Sequence, residues 1–238
     1  IAVALSASIL LIRRMTISAT PWRELLPYNE LRVGVDPSRP PFAAFGEDSL
    51  YGLEIDLARE LAIRLDLPLR FVPLGFDGLY DALKTDQVDA LIAGLAIDLS
   101  RLSEVHYSRP YFNAGLVLVS ESEINRMENL TGQRLAYEYG SEASSEARTW
   151  LRRILPFEML PYERPAVALD ATRLGAADAS LVDSISARLY LNEHPEWRAN
   201  LHEVTDNLYA IVTQSRRPEI SDAVQEALQL LINDGTLN

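Results

Sequence analysis

The 238-residue chain has no cysteine and a single lysine, Lys84. Without thiols, the sequence excludes disulfides, thiolate metal sites, a cysteine nucleophile and a lipidated cysteine. Positive charge is carried almost wholly by arginine, and Lys+Arg 22 against Asp+Glu 34 gives a formal net charge of -12. Such a balance repels polyanions, so counterion release does not drive binding and no nucleic-acid partner is expected. Histidine is scarce as well. His106, His194 and His202 show no metal-ligand spacing such as HExxH, and they are read as structural or solvent-facing, with no metal and no cofactor implied.

What is present is ordinary for a folded chain: 48% hydrophobic and 24% charged residues, enough to bury a core in one large domain or two small ones. The N-terminus differs from the rest. Residues 1–12 (IAVALSASILLI) are apolar and end at Arg13-Arg14, a run too short to span a bilayer, which takes about 20 residues. They suit the remaining part of a signal-peptide core or a membrane anchor, followed by a Pro-containing spacer to residue 28. The arginine pair on the C-terminal side of the run opposes export. A buried helix is the alternative for this segment.

From Leu31 onward, short β-rich runs alternate with amphipathic helical segments, the pattern of βαβ units in a largely parallel sheet. LRVGV predicts a first strand, and Leu53, Leu57, Leu61 and Leu65, with Ala58 and Ala62 beside them, predict a helix with one apolar face. Strands follow at 70–74, 90–94 and 116–120, with a helix over 78–85 between the first two. The pattern then starts again: strands at 134–138, 157–160 and 179–182, and helices at 141–154 and 166–174. A strand at 208–213 and a helix at 220–232 close the chain. No internal repeat, low-complexity tract or long linker appears. The chain is expected to leave a first lobe, build a second and return, with hinge crossings near 116–121 and 206–212.

In order, LRVGVDPSRPPFAAF, YGLEIDLARELAIRL, GFDGLYDALKTDQVDALIAGLAIDLSR and YSRPYFNAGLVLVS resemble the family-3 bacterial solute-binding proteins of polar amino-acid ABC importers. NLTGQRLAYEYGSEASSEA, GAADASLVDS and NLYAIVT continue the likeness over about residues 29–235. The resemblance implies an α/β fold, the two-lobed type II periplasmic-binding-protein clamp with two crossover hinge strands. It divides the chain into 29–118 plus 208–238 as lobe 1 and 119–207 as lobe 2. It further implies a monomer outside the cytoplasm, periplasmic or anchored through the N-terminal segment, that captures a small polar ligand for an ABC permease and catalyses nothing.

Site residues carry over position by position. Arg101 matches the arginine that grips a ligand carboxylate, a task its planar guanidinium performs with two parallel bonds; a surface pair with Glu104 is the alternative. Asp183 matches the second-lobe carboxylate that receives an α-ammonium group, or else it caps a helix. Phe76 matches an aromatic pocket wall, or packs in the core. Ser141 opens a helix where backbone N–H groups and a hydroxyl meet an anion, or serves only as a cap. Three positions depart from the family pattern. Ala96 stands where a Ser or Thr hydroxyl is common, leaving the backbone groups of Gly94 and Ala96; Arg39 replaces a frequent aromatic wall; Glu142 replaces a small hydroxyl residue. Arg39 and Glu142 are expected either to latch across the cleft or to read a polar ligand side chain. Two other functions stay open: a ligand-sensing domain of a membrane-anchored receptor, and a dehydratase or lyase on the same fold, for which Glu142 would be the acid–base candidate.

Overall fold

The LRVGV run forms β1 (Leu31–Val35) and is buried at every position. A computed structural model gives the fold for Leu26 and residues 28–237, so the expected N-terminal signal or anchor segment lies outside the described residues. After β1 come three short strands, β2 (Ser38–Arg39), β3 (Ala43–Phe45) and β4 (Leu50–Tyr51), joined in an antiparallel sheet of their own. The Pro-rich turn hid them from the sequence reading. Gly52 then turns the chain into α1 (Leu53–Leu65) at φ 126°, and a Cβ there would lie 2.3 Å from the Phe42 carbonyl oxygen, so only glycine fits. In α1 the buried stripe is Ile55, Leu57, Ala58, Leu61, Ala62 and Leu65; Leu53, predicted to share it, is 37% exposed because it stands at the first turn.

The chain continues through β5 (Leu69–Pro73), a 3-10 turn (Phe76–Gly78), α2 (Leu79–Lys84) and β6 (Ala90–Leu91). β6 is shorter than the predicted 90–94, and Gly94 adopts a left-handed φ of 59°. Next come a second 3-10 turn (Leu99–Arg101) and β7 (Val105–Asn113), a strand whose polar residues and Pro110 concealed it. β8 (Leu116–Ser120), β9 (Arg134–Glu138), α3 (Glu142–Leu151), β10 (Glu158–Tyr162), α4 (Pro165–Arg173) and β11 (Ala179–Asp183) follow. The chain ends with α5 (Ser184–Glu193), β12 (Asn200–Glu203), β13 (Leu208–Gln214) and α6 (Pro218–Asn233), whose proline sits in the first helical turn, where a missing N–H costs nothing.

The two large sheets have the orders β5-β1-β6-β13-β7 and β10-β9-β11-β8-β12. β5, β1 and β6 are parallel, as are β10, β9 and β11, but β13 runs antiparallel to β6 and β8 antiparallel to β11 and β12. Each sheet is therefore mixed, with the parallel part supplied by βαβαβ and the antiparallel part by strands arriving from elsewhere in the chain. Alternation on β8 shows how both faces of the second sheet are covered: Leu116 and Leu118 enter one apolar cluster with Leu135 and Leu181, while Val117 and Val119 enter another with Ala136 and Val182.

The chain forms two compact units. Among the described residues, the first comprises those up to Ala93, Ser100–Ser108 and those from Ile211; the second comprises Gly94–Leu99 and Arg109–Ala210. The chain therefore crosses between the units at 93/94, 99/100, 108/109 and 210/211; the third crossing lies inside β7, ahead of the 116–121 hinge and the 118/119 boundary expected from sequence, because β8 belongs to the sheet of the second unit. The return lies in β13. Among the described residues no helix is long and apolar enough to cross a membrane.

Candidate functional site

In each large sheet the three neighbouring parallel strands bring their C-terminal ends to one edge, where α/β sheets hold their ligands. The predicted site residues follow these ends. β1 leads into Arg39, β5 into Phe76 and β6 into Gly94 and Ala96; β9 leads into Ser141 and Glu142, and β11 ends on Asp183. Arg39, Phe76 and Arg101 lie in the first unit, the others in the second.

In the first unit the turn after β1 is set by buried Asp36, whose Oδ1 accepts from the Ser38 N–H at 3.1 Å and the Ser38 hydroxyl at 2.7 Å. That turn delivers Arg39 to β2, paired with Ala43. Its guanidinium lies 5.5 Å from the Phe76 ring centroid, and its Nη1 donates to the Ala93 carbonyl at 3.3 Å. Phe76 is 50% exposed, so it does not pack in the core. Arg101 closes its 3-10 turn with its guanidinium 4.1 Å from the Tyr80 ring centroid, and the Tyr80 hydroxyl is 3.1 Å from the Tyr107 hydroxyl. A cation over an aromatic face is stabilised by the ring quadrupole and held in one orientation. The Glu104 backbone N–H donates to the Arg101 carbonyl at 2.9 Å.

In the second unit two of the three helices that follow the parallel strands, α3 and α5, are capped by predicted site residues, whereas α4 has no side-chain cap. The Ser141 hydroxyl donates to the Glu138 carbonyl at 2.7 Å and accepts from the Ser144 N–H at 3.3 Å, so capping engages it in both directions. Asp183 Oδ1 accepts from the Ser186 N–H at 2.8 Å, which engages one carboxylate oxygen. Glu142 is exposed in the first turn of α3, where the helix dipole favours a negative charge. The Gly94 N–H donates to the Tyr111 hydroxyl at 3.2 Å, and exposed Ala96 bridges to Tyr209.

Sequence reasoning missed Tyr80, Tyr107 and the Ala93 carbonyl as supports of the two arginines. Tyr80 follows Phe76 by four positions in GFDGLY, a helical spacing that was legible, but Tyr107 required knowledge of β7. A cavity of about 200 Å³ in the second unit, lined by Asn113, Ser184, Arg188, Glu203 and Thr205 among others, contains none of the predicted site residues. Among the described residues no group of three or more His, Asp or Glu is placed to hold a metal.

Comparison with known proteins agrees with this architecture. Residues 31–238 match the model of the bacterial extracellular solute-binding proteins, family 3. ABC transporter arginine-binding protein 1 of Escherichia coli K12 is 24% identical over 214 residues, covering 87% of each chain. The histidine-binding periplasmic protein of the same strain is 26% identical over 232 residues, covering 92% of this chain and 88% of its own. The solved L-cystine solute receptor of Neisseria gonorrhoeae shares the fold with a TM-score of 0.74 at 21% identity, covering 90% of this chain and 91% of that one. The chain belongs to the family-3 bacterial extracellular solute-binding proteins and has their type II periplasmic-binding-protein fold.

Proposed function

We propose that this solute-binding protein captures an amino acid outside the cytoplasm and delivers it to an ABC permease, acting as a monomer and without catalysis. The observation that carries the reading is chemical complementarity at the strand ends. The Arg101 guanidinium, 4.1 Å from the Tyr80 ring centroid in the first unit, complements a ligand carboxylate, and the Asp183 carboxylate that caps α5 in the second, taken by itself, complements an ammonium group. Relatives named for arginine and histidine support the ligand class. In this reading the ligand carboxylate docks on Arg101, Asp183 receives the ammonium group, and binding shifts the population toward a closed form that the permease recognises. Phe76 supplies the apolar wall, and the N–H groups opening α3 supply further donors. The apolar residues 1–12 serve export or anchoring.

Isothermal titration calorimetry with a panel of the common amino acids tests the reading. At least one is expected to bind, and Arg101→Ala is expected to weaken it by about a hundredfold, the upper range for losing a charge-assisted hydrogen bond. Binding that survives Arg101→Ala, or no binding to any amino acid or small carboxylate, overturns it. Turnover of a bound ligand that disappears in Glu142→Gln would replace it with an enzyme.

A further inference from the structure

We propose that the first unit carries a second small-molecule site, which takes an amino acid with an apolar side chain. The site is a cavity of about 220 Å³ walled by three segments far apart in sequence. α2 supplies Tyr80, Leu83 and Lys84, the chain entering β7 supplies Glu104 and Val105, and the end of β13 with the turn after it supplies Gln214 and Arg216. All of these residues belong to the first unit, so the cavity is complete without the second. Pockets for drug-sized ligands begin at about 300 Å³, which makes the occupant a smaller molecule. The inference does not rest on the amino-acid site proposed above, since neither Arg101 nor Asp183 lines this cavity.

The wall is built before any ligand arrives. Gln214 is buried, and its Nε2 donates to the Leu83 carbonyl and, at 3.0 Å, to Asp86 Oδ1, which ties the end of β13 to α2. Arg216 Nε donates to Gln214 Oε1 and its Nη2 to Asp86 Oδ2, each at 2.5 Å, so the charge of this arginine is matched inside the protein. Leu83 and Val105 are buried and Tyr80 is half-buried, and together they form the apolar part of the lining. The two other charges on the wall are the Lys84 ammonium and the Glu104 carboxylate, both on exposed residues.

This set of groups selects by exclusion. A simple organic anion suits Lys84 but meets Glu104, and a simple amine suits Glu104 but meets Lys84. A neutral apolar molecule takes water from both charges and gives nothing in exchange. A zwitterion supplies a carboxylate for one and an ammonium for the other, and an apolar side chain then covers Leu83, Val105 and the Tyr80 ring. A charged or polar ligand side chain would instead meet Gln214 and Arg216, already engaged with Leu83, Asp86 and each other. An exposed Lys–Glu pair is worth little in solvent, so a ligand that draws the two charges to itself gives up little.

Competitive acylation of the full chain by an amine-reactive ester is the test. Lys84 is the single lysine, so mass spectrometry reads its side chain at one position, and the N-terminal α-amine is the internal reference for reagent consumed by free amino acid. L-leucine or L-phenylalanine, at about ten times its dissociation constant, is expected to lower the ratio of Lys84 to α-amine labelling about tenfold, because only the empty site reacts. 4-Methylpentanoate, which lacks the ammonium, and 3-methylbutylamine, which lacks the carboxylate, are each expected to need about tenfold more for the same protection, as is L-leucine on Glu104→Gln. Asp183→Asn, in the other unit, is expected to leave protection by L-leucine unchanged. The inference is overturned if neither amino acid protects Lys84, if either analogue protects as well as L-leucine, or if Glu104→Gln leaves the titration where it was. Protection that vanishes in Asp183→Asn belongs to the site proposed above and overturns the inference as well. Arg101-dependent binding, read by calorimetry, stands or falls separately from each of these results.

Discussion

Each unit ties the start of its first central strand to the start of its third with an arginine–aspartate bracket, and the two brackets differ in their surroundings. In the first unit the Arg32 N–H and Nε donate to Asp89 Oδ2 at 2.9 Å, Nη2 donates to Oδ1 at 2.8 Å, and Nη1 donates to the Asp86 carbonyl at 2.6 Å. In the second unit the Arg134 N–H and Nε donate to Asp178 Oδ2 at 2.7 and 3.1 Å, Nη2 to Oδ1 at 2.8 Å, and Nη1 to the Ala176 carbonyl at 2.6 Å. The three bonds to the aspartate correspond one by one although no sequence repeat links the halves, and Arg134 Nη2 donates in addition to the Gly175 carbonyl at 3.1 Å. Side-chain exposure does not correspond: 5% and 0% for Arg32 and Asp89, against 39% and 29% for Arg134 and Asp178. The first bracket is covered because the chain returns to that unit with α6, whose capping residue Arg217 places Nη1 3.2 Å from Asp89. The same geometry should therefore have different worth in the two units, since solvent screens one pair and not the other.

Asp89→Asn is the largest expected effect. Stripping the buried Arg32 of its counter-charge should destabilise the protein by about 3–5 kcal/mol, read as a lower urea midpoint. Asp178→Asn should lower the midpoint by about a third of that or less, and 1 M salt should shrink its effect while leaving that of Asp89→Asn nearly intact. Equal costs for the two substitutions would erase the comparison. The smallest effect is in acid. Side-chain hydrogen bonds from Arg134 hold the Asp178 carboxyl below its ordinary value of 3.8. A depressed carboxyl stabilises the folded state above the unfolded value and loses that contribution as pH falls through the folded one. Asp178 should therefore titrate below 3.8 by NMR in the wild type and return toward it in Arg134→Gln.

These contrasts show which parts of the molecule were legible in the sequence. Long elements with strong periodicity were: α1 and α6 carry their buried residues at helical spacing, and β8 is apolar throughout because both its faces are covered. Elements held by partners distant in sequence were not. β7 is polar and contains a proline, and it is a strand because β13 arrives beside it from about a hundred residues later. The short β2–β4 sheet has too few residues for any period to show. At the site, Arg101 and Asp183 could be named from motifs near strand ends, whereas the Tyr80–Tyr107 support under Arg101 joins residues on α2 and β7.

By itself the sequence determined the class of this protein: the order of βαβ segments and the charged residues that follow the parallel strands. Local periodicity and turn chemistry act over a few residues, so these features can be read along the chain. Only the tertiary structure decided which arginine rests on which ring, where the chain crosses between its units, and which of two matching brackets is buried. Those outcomes depend on the solvent and charge around each group, and that environment is supplied by segments remote in sequence, α6 above all.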